Sequence, residues 1–297
     1  MKGTTQLLAA FVICMMISPY IYAGQMGYPG YRSYSLVKVW ESDRIFKVPE
    51  SVCYDPKGKS LYVSNIDGQP GRKDGRGFIS KLSPDGRVLK LKWATGLNAP
   101  KGMAIFKDRL YVSDIDRLVC IALSSGEITR VFPAEGARFL NDVAVDERGH
   151  VYVSDSSGKN SAIYWLKDGK MEVWLKGGEI KSPNGLFYRD GVLYVGSSGD
   201  GRIKAVDVRT KRVKTVAEVG SGIDGLILDK DGFFIVSDWR GKTSLIEKGK
   251  GPVVLMDTTD KRINSADLGY IPDQRLILIP TFFDNRVLAY RLSLPRR

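Results

Sequence analysis

The feature that most constrains the fold is a pattern that recurs six times at a near-constant interval. The copies are PESVCYDPKGKSLYVSN (49–65), PKGMAIFKDRLYVSD (100–114), LNDVAVDERGHVYVSD (140–155), PNGLFYRDGVLYVGS (183–197), IDGLILDKDGFFIVSD (223–238) and ADLGYIPDQRLILIPT (266–281). They begin at or next to Glu50, Lys101, Asn141, Asn184, Asp224 and Asp267, so the successive intervals are 51, 40, 43, 40 and 43 residues. A period of roughly 40 to 50 residues made of short strands is typical of propeller blades. The sequence therefore predicts an all-β, six-bladed propeller with four antiparallel strands per blade.

Short turn sequences divide each repeat into strands. In the third repeat they predict strands at 142–146, 150–154, 162–166 and 171–174, and Gly, Asp and Pro in the intervening segments suit tight hairpins. The sixth repeat offers only three strand patterns, whereas YSLVKVW (34–40) is a strand pattern left over before the first repeat. We predict that this segment completes the sixth blade, because closing the ring removes its open sheet edges.

The first 23 residues differ from the rest of the chain. Lys2 is followed by a 12-residue apolar run, Leu7 to Ser18, and the segment ends at the small residue Ala23. This pattern is typical of a secretory signal peptide, since the run is short for a bilayer span. We expect residues 1–23 to be removed and residues 24–297 to form a single propeller domain, exported to the periplasm or secreted. An uncleaved membrane anchor is the alternative.

The charge of the chain is basic but dispersed. Formal net charge is +12, and it becomes +11 when the signal peptide takes Lys2 with it. Basic stretches such as GRKDGRG and RTKRVK are turn-like and mixed with acids, which favours a solvated rim over nucleic-acid binding, and no stable membrane insertion is expected of the mature chain. Cys53 and Cys120 lie in apolar strands of different blades and are expected to be buried free thiols, although an export compartment would permit a bridge.

Polar residues recur where the first strand of each blade starts. In a propeller the first strands line the central channel, so equivalent positions of all blades converge on one mouth. That position holds Glu50, Lys101, Asn141, Asn184, Asp224 and Asp267, with a net charge of −2 from three carboxylates and one ammonium. The turns that contain DPKG, DERG and DKDG lie on the opposite face, together with His150.

Converging carboxylates in a narrow channel raise one another's pKa and cost stability unless they share a cation. Oxygen ligands from Asp, Glu and Asn without His or Cys suit Ca²⁺ best, then Mg²⁺ or Mn²⁺, and Zn²⁺ least. The predicted cofactor is accordingly a divalent metal. The alternative is that these residues only hydrate the channel mouth or cap strand ends.

The segments PESVCYDP, LNDVAVDERGHVYVSD, PNGLFY and IDGLILDKDG, in this order and at blade spacing, resemble the senescence marker protein (regucalcin) and gluconolactonase family of six-bladed propellers. The likeness covers about residues 44–293. It implies a divalent metal, usually calcium, held by a Glu of blade one, an Asn from each of blades three and four, and an Asp of blade five. Glu50, Asn141, Asn184 and Asp224 match these positions one for one. Asp267 is a candidate fifth ligand or an acid behind the ligands.

Some residues depart from the family pattern. Members often carry Arg two residues before the blade-three Asn, where this chain has Phe139 with Arg138 one position further away. Lys101 brings a positive charge into the ring. Lys101 and Arg138 are the substrate-binding candidates, and these departures concern the substrate rather than the metal.

The sequence supports two classes of function. The first is a metal-dependent hydrolase of a lactone or related ester, with Asp224 as the base, because the resemblance points to it and a carboxylate can bind metal through one oxygen and accept a proton through the other. The second is a non-catalytic propeller that binds a ligand or partner protein, with a structural metal in the channel. A Ser-His-Asp triad is excluded because His150, the single histidine, lies on the wrong face. The serines that end second strands, Ser64, Ser113, Ser154 and Ser237, are expected to bond to nearby backbone, as are Asp114, Asp155 and Asp238.

Overall fold

The computed structural model describes residues 34–295, and these form six four-stranded antiparallel sheets. Strand β1 (Ser35–Glu41) precedes blade one, which contains β2 (Pro49–Asp55), β3 (Ser60–Asn65), β4 (Gly77–Leu82) and β5 (Val88–Leu97). Blade two contains β6 (Pro100–Phe106), β7 (Arg109–Asp114), β8 (Arg117–Ala122) and β9 (Ile128–Pro133). Blade three contains β10 (Leu140–Val145), β11 (Val151–Asp155), β12 (Ala162–Lys167) and β13 (Lys170–Lys176).

The remaining blades follow the same order. Blade four contains β14 (Pro183–Arg189), β15 (Val192–Ser197), β16 (Arg202–Asp207) and β17 (Val213–Glu218). Blade five contains β18 (Leu226–Leu228), β19 (Phe234–Asp238), β20 (Lys242–Ile246) and β21 (Val253–Asp257). Blade six contains β22 (Gly269–Ile271), β23 (Leu276–Pro280) and β24 (Val287–Ser293). Short 3₁₀ turns cover Gly158–Asn160, Pro272–Gln274 and Phe282–Asp284. The six-bladed propeller predicted from the repeats is confirmed.

The ring closes as predicted. The sixth sheet has the order β22-β23-β24-β1, and its outermost strand, β1, pairs with β24 from Ser35 opposite Ser293 to Glu41 opposite Leu288. Because the first and last strands of the propeller share one sheet, the two ends of the ring are held together by a backbone ladder. The signal-peptide prediction concerns residues that lie outside the described range.

The hydrophobic core lies between neighbouring blades. One apolar cluster joins Leu118 and Cys120 of blade two to Leu140 and Val153 of blade three, and equivalent clusters join the other blades. Every residue of β3, β11 and β23 is buried, whereas the outermost strand β21 has no buried residue. Inner strands are covered on both faces, so they lose the apolar and polar alternation that outer strands keep.

Glycines follow three of the channel residues because the first strands approach one another closely. A Cβ on Gly102, Gly185 or Gly225 would overlap the main chain of the next blade. The Lys-Gly, Asn-Gly and Asp-Gly pairs are therefore required for strand packing around the channel, although such pairs are more familiar from turns.

The strand-end serines bond to backbone, as expected, and three of them bond to the next blade. Ser113 Oγ donates to the carbonyl of Asn141. Ser154 Oγ donates to the carbonyl of Asn184 at 2.8 Å, and Ser237 Oγ donates to that of Ala266 at 2.7 Å. These hydrogen bonds help to position the first strand of each following blade. Both Cys53 and Cys120 are free thiols, as predicted, and Cys120 is buried, whereas Cys53 is only half-buried. Within residues 34–295, no helix has the length and hydrophobicity needed to cross a membrane.

Candidate functional site

Four predicted ligands and Lys101 meet in one cavity at a mouth of the channel. The cavity has a volume of about 480 Å³. Glu50 comes from β2, Lys101 from β6, Asn141 from β10 and Asn184 from β14, while Asp224 lies two residues before β18. Because the repeat places each of these residues at the start of a channel strand, residues up to 174 positions apart in the chain line one cavity.

The four ligand candidates share an unusual property. Each is buried, and each has one side-chain oxygen without a hydrogen-bond partner: Glu50 Oε2, Asn141 Oδ1, Asn184 Oδ1 and Asp224 Oδ2. Only six buried side-chain polar atoms among residues 34–295 lack a partner, and four of them are in this one cavity. An unpartnered buried polar group costs about 1–3 kcal/mol, so these four oxygens are placed to accept a cation or a hydrogen-bond donor. A hard divalent cation matches four oxygen donors.

The two amides are oriented to offer oxygen to a cation. The Asn184 side-chain NH₂ donates to Asp224 Oδ1 at 2.5 Å. The Asn141 side-chain NH₂ donates to Ser156 Oγ at 3.3 Å, and Ser156 Oγ donates in turn to the carbonyl of Pro183 at 2.7 Å. With both NH₂ groups engaged by the protein, the amide oxygens are the atoms left free.

Burial and mutual repulsion make the carboxylates hard to ionise without a cation. Burial raises the pKa of Glu50 well above its usual range, and the charges of Asp224 and Asp267 add to this effect. Burial likewise raises the pKa of Asp224 to about 7, with a further contribution from Asp267 and an opposing one from the Asn184 hydrogen bond. A bound cation would offset both shifts.

Two of the four candidate metal ligands are amide oxygens and not carboxylates. Across residues 34–295, no three His, Cys, Asp or Glu side chains are grouped closely enough to hold a metal, so Glu50, Asp224 and Asp267 do not form such a trio. Two carboxylates and two amide oxygens make a ligand set that a search for acidic clusters would overlook, and it suits Ca²⁺ or Mg²⁺ better than Zn²⁺.

Lys101 is buried rather than extended into solvent, with 1% of its surface exposed. Its ammonium donates to the carbonyls of Pro70 at 2.9 Å and Ala99 at 3.1 Å, and it lies 4.4 Å from the centre of the Phe139 ring. Burial lowers the pKa of Lys101 to about 8, against the opposing charges of Glu50 and Asp114. Two carbonyls and one aromatic face thus fix a positive charge beside Glu50.

Asp267, unlike the other four oxygen donors of the predicted ring, does not line this cavity, although its backbone N–H donates to the Glu50 carbonyl at 3.0 Å. It lines a second cavity of about 270 Å³, in which Ser51 Oγ donates to Asp267 Oδ2 at 2.6 Å. Among the charged residues, only Glu50, Asp224 and Lys101 line the first cavity, so its net charge with all groups ionised is −1, whereas −2 is expected for the whole ring.

Asp142 is a buried acid that the sequence argument did not assign to a site. It lines the second cavity with Asp267, and its oxygens accept the backbone N–H groups of Val143 and Leu186, both at 2.6 Å. Burial raises the pKa of Asp142 to about 7 against these hydrogen bonds. The available signal was the consecutive pair Asn141-Asp142 on a channel strand, because successive residues of a strand face different sides.

Arg138 does not line the cavity. Its side chain is exposed, its backbone N–H donates to Asp155 Oδ2 at 3.1 Å, and the cavity is lined by the neighbouring Phe139 instead. Asp155 also accepts the N–H groups of Phe139 and Ser157, so it bonds to local backbone as predicted. His150 lies in another cavity, with Nδ1 2.7 Å from Asp146 Oδ2, and is absent from the lining of the candidate metal site, as expected.

An apolar wall completes the cavity, and sequence reasoning missed it. Its members are Ile66, Pro70, Phe139, Trp239, Phe282 and Phe283. Apart from Phe139, they belong to loops that follow second strands, where the repeat pattern makes no prediction about side-chain direction.

Comparisons with known proteins agree with this architecture. The sequence model of the SMP-30/gluconolactonase/LRE-like region matches residues 48–269. A curated relative, strictosidine synthase-like 9 protein of Arabidopsis thaliana, is 28% identical over 220 residues, which is 69% of this chain and 52% of the relative. The chain thus spans about half the length of that relative.

Two solved structures show the same fold at low sequence identity. A candidate gluconolactonase has a TM-score of 0.65 and 17% identity, with 89% of this chain and 93% of that chain covered. Streptogramin B lyase has a TM-score of 0.63 and 10% identity, with 88% and 98% covered. These likenesses establish the fold alone, whereas the family match covers most of the propeller. The chain belongs to the SMP-30/gluconolactonase/LRE-like family.

Proposed function

We propose that this protein is a divalent-metal-dependent hydrolase of a lactone or related ester, with Ca²⁺ as the preferred cation. The observation that carries the proposal is the convergence of four buried, unpartnered oxygens in one cavity at the channel mouth. Membership of a family that includes gluconolactonase supports the hydrolase over a purely structural role.

Glu50, Asn141, Asn184 and Asp224 would hold the cation. When bound, a divalent cation supplies polarisation of the ester carbonyl and stabilises the negative charge that develops on its oxygen. Ca²⁺ takes about six to eight oxygen ligands, and the protein would supply four. The remaining coordination positions are therefore open to substrate and water.

Asp224 is the proposed base. Its Oδ2 has no protein partner and would bind the cation, while its Oδ1 accepts the Asn184 amide with one lone pair, which fixes the carboxylate and leaves the other lone pair for a proton. Water adds to the carbonyl carbon and gives one proton to Asp224. The acyl C–O bond then breaks, and Asp224 returns the proton to the departing alkoxide oxygen. A lactone opens in this way to a hydroxy acid, and the carboxylate of Asp224 is regenerated.

Lys101 provides a fixed positive charge at the same cavity. Two of its three N–H bonds are used by Pro70 and Ala99, so one remains for a substrate carboxylate or hydroxyl. Arg138, which lies outside the lining, would reach a substrate only where the substrate extends beyond the cavity.

The proposal is tested by assaying the purified protein against γ- and δ-lactones, a sugar lactone and aryl esters, with Ca²⁺, Mg²⁺, Mn²⁺ or chelator. We expect calcium-dependent turnover that chelator removes and that Asp224→Ala abolishes. Asp146→Ala, which removes a buried acid of another cavity, serves as the control. Failure on every lactone and ester, with calcium still bound, would favour the non-catalytic binding propeller.

Export is part of the proposal and rests on the signal-peptide pattern of residues 1–23. Mass spectrometry of the protein from its native cells should find an N-terminus near residue 24, outside the cytoplasm. Recovery of a chain that retains Met1 would contradict cleavage.

A further inference from the structure

We propose that the substrate of this site carries an aromatic group, bound against Trp239 and Phe283, and an anionic substituent beyond that group, near Arg240 and Arg262. The inference rests on the proposed function, because it names the class of ester or lactone that the site accepts. It begins from the composition of the cavity wall, which is polar where the cation ligands lie and apolar elsewhere.

Three aromatic rings form a contiguous cluster at the mouth. Ring centres are 5.5 Å apart for Trp239 and Phe282, 6.0 Å for Trp239 and Phe283, and 4.8 Å for Phe282 and Phe283, all edge to face. Phe282 is buried, whereas 41% of Trp239 and 63% of Phe283 are exposed. Contiguous exposed apolar surface beside a concave polar site indicates ligand binding.

The backbone of Phe282, in the middle of this cluster, adopts an energetically unfavourable conformation. Phe282 has a φ of 50°, a left-handed value that is unfavourable for a bulky residue. Its ring packs with Ile66 and Ile115 in a small apolar cluster, which stabilises the conformation. Phe282 lines the cavity that contains the cation ligands, and its buried ring supports the exposed rings of Trp239 and Phe283.

The same wall is poorly suited to a polyhydroxylated sugar lactone. The uncharged hydroxyls that line the cavity are Ser156 and Ser198, and both already donate to carbonyls, of Pro183 at 2.7 Å and of Ser182 at 3.0 Å. A sugar placed against the aromatic side would leave most of its hydroxyls without partners, which costs binding energy. An aromatic group would lose no hydrogen bonds there.

An outer cavity, separate from the one that Asp267 lines, extends the apolar wall outward. It measures about 580 Å³ and shares Trp239 and Phe283 with the metal-site cavity. Its lining includes Arg240, Lys242 and Arg262. Lys242 pairs with Asp257 at 3.6 Å, whereas Arg240 and Arg262 make no ion pair within residues 34–295. Asp238 also lines this cavity and accepts the backbone N–H of Arg240 at 3.0 Å. The two guanidinium groups outnumber this acid and favour an anion at the far end of the aromatic group.

Binding is tested separately from turnover with 2-naphthalenesulfonate, an unreactive aromatic anion, titrated calorimetrically into the calcium-loaded protein. We expect Trp239→Ala and Phe283→Ala each to weaken binding about tenfold, and Arg262→Gln by about threefold to tenfold. Val173→Ala, which trims an exposed apolar residue of β13 far from the cavity lining, should have no effect. Because Trp239 and Phe283 are exposed, unchanged melting temperatures should show that the variants fold.

Turnover is tested with γ-butyrolactone and its aryl-substituted derivatives, with and without a ring carboxylate. We expect kcat/KM to rise with the aryl group, to rise again with the carboxylate, and to lose these gains in Phe283→Ala and Arg262→Gln respectively. If the aromatic variants weaken sulfonate binding but no ester is hydrolysed, this inference stands and the proposed hydrolase activity is contradicted. If all lactones are hydrolysed equally well, this inference is contradicted and the proposed hydrolase activity stands. Sulfonate binding that is unchanged in both aromatic variants would also contradict this inference without affecting the proposed hydrolase activity.

Discussion

The side-chain amide of Asn184 donates a 2.5 Å hydrogen bond to Asp224 Oδ1, and this bond joins blades four and five at the channel mouth. It satisfies one oxygen of the carboxylate and the NH₂ group of the amide. The atoms left without partners are Asn184 Oδ1 and Asp224 Oδ2, which are the two that a cation can use. One hydrogen bond thus fixes the orientation of two candidate ligands before any cation binds.

Replacing Asp224 by Asn should reduce turnover more than calcium binding. The new side chain would accept the Asn184 hydrogen bond through its oxygen and would then present an NH₂ group where Oδ2 lies. We expect calcium affinity to fall at least about tenfold, since the site loses an anionic ligand and an NH₂ group cannot bind the cation. Turnover at saturating calcium should fall by about 10² to 10⁴, because an amide cannot accept the proton from water.

Calorimetry and steady-state kinetics at matched calcium saturation measure the two effects. Asp146→Asn is the control, because Asp146 is equally buried but lines another cavity. Full turnover by the Asp224→Asn variant under calcium saturation would remove Asp224 as the base.

Calcium should stabilise the protein more at high pH than at low pH. The pKa of Asp224 is raised to about 7 from an unfolded value of about 3.9, so the neutral carboxyl favours the folded state. This contribution is complete below about pH 4 and is lost as pH rises through about 7. The raised pKa of Glu50 acts in the same direction. Calcium binds the ionised carboxylates, so its effect grows over that range.

Melting temperatures measured at pH 5 and pH 8, with calcium or with chelator, test this dependence. The chelated protein should lose stability from pH 5 to pH 8, and calcium should restore more at pH 8. The double variant with Glu50→Gln and Asp224→Asn should lose most of the calcium-induced shift at both pH values, while the pH dependence that comes from the raised pKa values of Asp142 and Asp267 remains. A calcium-induced shift that is the same at both pH values would contradict the assignment.

Replacing Lys101 by Met should destabilise the fold while tightening calcium binding. The carbonyls of Pro70 and Ala99 would lose their donor, which should lower the free energy of unfolding by about 1–3 kcal/mol. Removal of the ammonium changes the charge of the cavity from −1 to −2, so calcium affinity should rise at least about tenfold. KM should also rise, because the substrate would lose the ammonium proposed to bind its carboxylate or hydroxyl.

Lys204→Met provides a matched control for this variant. Lys204 is a buried lysine of blade four whose ammonium lies 2.8 Å from Asp200 Oδ2, and it does not line the metal-site cavity. The control should lose stability without any change in calcium affinity. Equal calcium affinities in both lysine variants and the wild type would show that Lys101 does not act on the site.

Strand β1 should be required to close the ring. A chain that begins at residue 43 lacks β1, which exposes the edge of β24 along its ladder of backbone groups. We expect a lower melting temperature and aggregation on heating for this chain than for a chain that begins at residue 34 and keeps β1. Thermal melts with light scattering measure both effects. Equal stability of the two truncated chains would mean that β1 is dispensable.

The number of blades and the number of strands in each can be predicted from the sequence, because both are determined by short local patterns. Apolar runs of strand length, turn residues between them and a period of 40 to 51 residues specify four-stranded hairpin sheets wherever they occur. The strand pattern at 34–40 is predicted to complete the last blade because an unpaired edge is unfavourable, and β1 occupies that place from Ser35 to Glu41. Strand ends were less accurate, since β10 begins at Leu140 and not at Asp142.

The candidate site was predictable where it depends on the repeat and unpredictable where it depends on packing between blades. The sequence placed Glu50, Asn141, Asn184 and Asp224 together, because the repeat puts each at the same point of a channel strand. Tertiary structure alone decided that Asp267 lines the second cavity and that Lys101 is buried against Pro70, Ala99 and Phe139. It also decided that Trp239 and Phe283 face the metal-site cavity. These positions depend on how loops of different blades pack against one another, and no local periodicity encodes that packing.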